Sequence, residues 1–169
     1  SMPGYVNLAN LDLPEDVEST TDVFIKKPLL KLVSIAIKSG AKKDEDRELA
    51  EILSQLSLIQ VRVFEDAQED MPQIERGMTS LHGRFEKQDW ELIARVRGKK
   101  EHVHVFYKIK DEKIEGLVVT VIEDDKEAVF VNIVGHFKPE DLGKLGSRID
   151  LGLRKDFDWS RMEKVDTKS

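Results

Sequence analysis

The sequence predicts an α+β domain in which helices pack on one face of a mostly antiparallel sheet, the sheet ending in a four-strand meander. Three observations carry that reading. Helix-like periodicity is concentrated before residue 90, whereas four strand-like runs follow one another from Trp90 to Gly135 with only short polar turns between them. The segment EGLVVTVIEDDKEAVFVNIVGHF, residues 115–137, is dense in branched apolar side chains and is broken once, at Asp124-Asp125. Within it Leu117, Val119 and Val121 fall on one face by period-two alternation and Gly116, Val118 and Ile122 on the other, so protein is expected to cover both faces of a central strand pair.

After a polar lead, VFIK reads as a short strand, and Pro28, with its fixed φ and missing N–H, suits the first turn of a helix over about 28–39. Lys31, Ser34 and Lys38 form a narrow polar stripe on it, while Leu29, Leu30, Leu32, Val33, Ile35, Ala36 and Ile37 occupy the rest. Such a helix is expected to be buried on most sides, with Gly40 ending it in a left-handed conformation. A second helix, about 44–57, aligns Leu49, Ile52, Leu53 and Leu56, and LIQVRVFE follows as a strand with Ile59, Val61 and Val63 on one face. Asp70 is the expected cap of a third helix, weakened by Gly77 and Gly83, whose inner stripe is Ile74, Met78, Leu81 and Phe85. The meander comprises WELIARVR, HVHVFYKI, KIEGLVVTVI and EAVFVNIVG, and Pro139 starts a short helix through Leu142 and Leu145. This divides the chain into a flexible or extended N-terminal segment, 1–21, a single domain, 22–149, and a charged tail, 150–169.

Composition removes several classes of function. The 169 residues are 40% hydrophobic, enough for one core without staples, and no cysteine is present to supply disulfides, thiol nucleophiles or thiolate ligands. With 27 Lys and Arg against 33 Asp and Glu, the net charge of -6 opposes a sequence-wide affinity for phosphate backbones, so no nucleic-acid partner is expected. PLLKLVSIAI, the longest dense apolar stretch, is too short to span a bilayer. Ser1-Met2 reads as the scar of a cleaved expression tag, so the visible N-terminus says little about targeting.

Two constellations invite a chemical reading. His102 and His104, two apart on a strand, place both imidazoles on one side, as a metal site needs. A third ligand could be His136 or Glu101, but nothing in the sequence fixes either nearby, His82 lies on a different predicted element, and a packing role is favoured, so no metal is assigned. Arg95, Arg97, Lys99 and Lys100, continued by Lys108 and Lys110 and interleaved with Phe106 and Tyr107, form a candidate anion-binding hairpin. Its competitor is a solvated strand face balanced by Glu91, Glu101 and Asp111. GKLG at 143–146 lacks the length and preceding strand of a phosphate loop, and DEDRE (44–48) and EDD (123–125) lack the spacing of a calcium loop. No serine elbow occurs, no cofactor is implied, and no catalytic residue is assigned.

The ordered set VFIKKPLLKLVS, LSLIQVRVFE, WELIARVR, HVHVFYK, IEGLVVTVIEDDKEAVFVNIVG and PEDLGKLG, punctuated by Trp90, Gly116, Asn132 and Gly135, resembles the bacterial family known as domain of unknown function 4252 over roughly residues 22–147. The resemblance implies an exported protein of the periplasm or cell envelope, often lipid-anchored, without established enzymatic activity; the anchoring cysteine would lie outside this sequence. The expected function is therefore non-catalytic binding of an unidentified envelope protein or ligand, with membrane attachment through that anchor. The alternative is a hydrolase or transferase whose site is assembled from dispersed histidines and carboxylates.

Overall fold

Two-residue and three-residue turns fold the second half of the chain back on itself three times, and the structure, a computed structural model, describes residues 2–7, 17–18 and 20–148. In chain order the elements are β1 (Thr21–Lys26), α1 (Lys27–Gly40), α2 (Asp44–Ser54), β2 (Leu56–Phe64), α3 (Met71–Lys87), β3 (Glu91–Arg97), β4 (Glu101–Lys110), β5 (Lys113–Glu123), β6 (Glu127–Phe137) and α4 (Asp141–Arg148). The six strands form one sheet in the order β1-β2-β6-β5-β4-β3, with every neighbouring pair antiparallel. The α+β class and the C-terminal meander are as the sequence predicts. The meander β3–β6 ends by placing β6 against β2, so the first hairpin-like unit joins the sheet through the last strand.

The two faces carry separate apolar clusters. On one, Leu30 of α1, Ile52 of α2 and Leu142 of α4 pack with Val103, Val105, Val119, Val121, Val131 and Ile133. On the other, Met71, Ile74, Met78, Leu81 and Phe85 of α3 pack with Phe64, Phe106, Val118, Ile122 and Phe130. Both faces of β5 are covered, as its pattern required, and Ile114 through Ile122 are buried without interruption. Helices thus lie on both faces rather than on one. The reason is α3: its stripe of six buried residues needs its own apolar surface, and Phe64, Phe106 and Phe130 provide it on the side away from α1.

Several local expectations change. Asp70 occupies the N-cap position of α3, yet its side chain makes no capping hydrogen bond; its carbonyl accepts from Ile74 N–H instead. Gly77 is buried within α3 and does not break it. Gly40 is the last residue of α1, and the helix ends at an extended Ala41 (φ -71°, ψ 125°) rather than in a left-handed turn. α2 stops at Ser54, so Leu56 belongs to β2. Part of the N-terminal segment, residues 2–7, lies against the α3 face, where Gly4 is buried. The tail 150–169 lies outside the described residues, as do the side chains of GKLG beyond Lys144.

Candidate functional site

β4 sets His102 and His104 on one side of the sheet, but only His104 turns inward; His102 is exposed. The partner of His104 is His82, whose ring, carried by α3, lies 4.7 Å away centroid to centroid. Nε2 of His82 is 3.1 Å from Oγ1 of Thr120, a fully buried side chain on β5, and both imidazoles touch Phe106. Burial, then the adjacent His104, pushes the pKa of His82 down from 6.5 to about 4. His104 is lowered too, by burial first and then by Arg95, Arg97 and His102. Arg95 stands directly across the strand pair from His104, and Arg97 from His102. Nδ1 of His104 is buried without a hydrogen-bond partner among the described residues. Two imidazoles facing arginines make a poor cation site, and among the described residues no group of three or more His, Cys, Asp or Glu converges. His136 is exposed on β6, and Glu101 is buried at the start of β4.

Arg95, Arg97, Lys99 and Lys100 are exposed on the β3–β4 hairpin, at the sheet edge opposite β1. Phe106 and Tyr107 are 5% and 3% exposed, one in each apolar cluster, so they hold the core and offer no stacking surface beside the cations. The acidic turn Asp124-Asp125 is the exposed hairpin end between β5 and β6, with Asp124 N–H donating to Lys100 O. Asp44, Glu45 and Asp46 form the first turn of α2, where carboxylates meet the positive end of the helix dipole.

The largest departure from expectation is α1. Only Leu30 and Ser34 are buried, and Ser34 Oγ donates to Ala50 O of α2 at 2.7 Å. The narrow polar stripe therefore contributes to the α1–α2 contact, while Leu29, Leu32, Val33 and Ile35 stand 50%, 64%, 40% and 61% exposed. Val23 of β1, on the same side of the sheet as α1, adds 37%, whereas Phe24, 50% exposed, pairs with Gln60 and lies on the α3 side. The same stretch of chain is basic: Lys26, Lys27, Lys31, Lys38, Lys42 and Lys43 all fall within residues 23–43, which contain no acid. The sequence signal was present in the apolar arc, but a helix apolar on most sides reads as a core helix until its neighbours are known.

No curated protein and no solved structure matches the chain. A family model matches residues 15–145, a span that holds all six strands and α1 to α3 but not the docked residues 2–7. On that match the chain belongs to the family described as Domain of unknown function (DUF4252).

Proposed function

We propose that this is a non-catalytic, envelope-associated binding domain that lays α1 on an anionic membrane surface. One observation carries the reading: an exposed apolar arc on a surface helix, set in a stretch of 21 residues with six lysines and no acid, in a chain that is otherwise acidic. A monomer rarely leaves a run of large apolar side chains in water, and the pattern is that of helices lying in the lipid interface. The lysines answer anionic headgroups, each contributing about 1 kcal/mol near such a surface. Attachment through a lipid anchor, which the family resemblance implies, would add to this contact rather than replace it.

The alternative, a hydrolase or transferase with a dispersed site, would draw on His82 and His104. What faces that pair is Thr120, Phe106, Arg95 and Arg97, which supplies no carboxylate to orient an imidazole.

Co-sedimentation with phosphatidylglycerol vesicles tests the proposal. Binding is expected to weaken steeply with salt, to vanish in Leu32→Glu/Ile35→Glu, and to fall roughly 30-fold in Lys31→Gln/Lys38→Gln. Lys99→Glu/Lys100→Glu, at the far sheet edge roughly 24 Å away across five strand spacings, leaves it unchanged. Absence of binding at low salt, with a dimer in light scattering that Leu32→Glu dissociates, would overturn the reading and make the patch a protein interface.

A further inference from the structure

We propose that the α3 face carries a peptide-recognition groove that reads the main chain of a short segment turning at a glycine, and that residues 3–7 of this chain are its occupant in cis. The site lies on the opposite side of the sheet from α1 and does not depend on membrane docking. Asn132, fully buried on β6, is its centre. Its Nδ2 donates to Gly4 O at 3.0 Å and to Leu117 O at 3.1 Å, while its Oδ1 accepts from Val6 N–H at 2.9 Å. Gln60 on the adjacent β2 completes the set: Nε2 donates to Val6 O at 2.7 Å and to Asn132 Oδ1 at 3.0 Å. Two buried side-chain amides thus satisfy both main-chain groups of Val6 and the carbonyl of Gly4. Such recognition is blind to most side chains and demands a backbone that turns at Pro3-Gly4, where Tyr5 N–H donates to Met2 O at 3.0 Å.

The one position read for its side chain is Gly4. A Cβ there would overlap the carbonyl of Glu115, and a Cβ on Gly116 would lie 2.5 Å from Gly4 Cα and 2.8 Å from the Trp90 ring. Two glycines let the backbones pass in contact, with the Trp90 indole closing one side. Trp90, Gly116 and Asn132, three of the residues that punctuate the strand pattern in sequence, therefore converge on one purpose.

The resident segment does not fill the groove. A cleft of about 380 Å³ remains beside Tyr5 and Val6, lined by Leu81, Arg84, Phe85, Trp90 and Lys108. Tyr5 stays 37% exposed next to it. A partner peptide with a glycine at the Gly4 position and a larger or acidic side chain for this cleft would displace the cis segment.

The test keeps the full chain through folding. A specific protease site is inserted between Asp12 and Leu13, the folded protein is cut, and a fluorescent peptide of residues 1–10 is added. The expected result is saturable exchange of the labelled peptide for the native fragment. The same peptide carrying Gly4→Val should bind at least 100-fold more weakly, a variant that leaves the protein untouched. Exchange is also expected to disappear in Gly116→Ala protein, if that variant melts as the parent does; Asn132→Asp, which removes the amide donor, provides a second protein-side check. Retention of the cut fragment without exchange, loss of folded structure on its release, or equal binding of the Gly4→Val peptide would each overturn the proposal.

Discussion

His82 shows how one side chain links the packing of α3 to the pH response of the molecule. It is half-buried beside Thr120, Phe106 and His104, and burial first, then the neighbouring imidazole, opposes a positive charge on its ring. Its pKa accordingly falls from 6.5 to about 4, and that of His104 falls as well. A histidine whose folded pKa is depressed prefers to be neutral in the native state. Its stabilising contribution is then complete above about pH 6.5 and is lost as the pH drops from there toward 4, because the unfolded chain takes up the proton first. We expect urea midpoints to decline across that window, and His82→Gln, which keeps a polar partner for Thr120 but does not titrate, to flatten the decline. Parallel pH profiles for the parent and the variant would show that His82 is not the titrating group.

At the scale of elements, the turns of the meander hold a reserve of stability. Asp111 and Glu112 join β4 to β5 as a two-residue loop in which both φ values are positive, 52° and 66°, between the paired Lys110 and Lys113. This is the mirror-image turn that the twist of a hairpin favours, and its second position suits glycine. The left-handed region costs an ordinary residue about 1–2 kcal/mol, and glycine returns part of that gain as extra freedom in the unfolded chain. Glu112→Gly is therefore expected to raise stability by about 0.5–1 kcal/mol, read as a higher urea midpoint at unchanged slope; a lower midpoint would contradict the turn assignment. The strands around this turn were legible in sequence because period-two alternation and polar breaks coincide from Trp90 to Gly135. The helices were harder. Nothing local says that α3 would take the opposite face from α1, since that choice depends on Phe64, Phe106 and Phe130, residues far apart in sequence. For the same reason His82 and His104, 22 positions apart on different elements, could not be paired from spacing. Leu32 and Ile35 are exposed where burial is expected because periodicity reports an apolar surface without naming what covers it. The groove that holds Gly4 was visible only as separate residues, Trp90, Gly116 and Asn132, whose meaning appears once β5 and β6 are side by side.

Across the whole molecule, β5 and β6 form a wall between the two apolar clusters, and both proposed binding surfaces depend on it: the α1 contact on one side, the peptide groove on the other. Val119 and Val131 are paired across that wall, each 1% exposed, within the cluster that seats α1 and α2. A carboxylate at either position would be buried without a partner, at a cost of several kcal/mol against a total stability of about 5–15 kcal/mol for a domain of this kind. Val119→Asp and Val131→Asp should therefore abolish soluble expression. A graded version keeps the experiment quantitative: Val119→Thr preserves the shape but buries a hydroxyl, which costs about 1–3 kcal/mol when unsatisfied. Asp125→Asn, in the exposed turn at φ 52°, keeps a residue that tolerates this conformation and should lie within about 0.5 kcal/mol of the parent. The order of urea midpoints is thus expected to be parent and Asp125→Asn together, then Val119→Thr well below. If Val119→Thr matched the parent while Asp125→Asn fell, the acidic turn rather than the valine wall would be the part of β5 and β6 on which the fold depends.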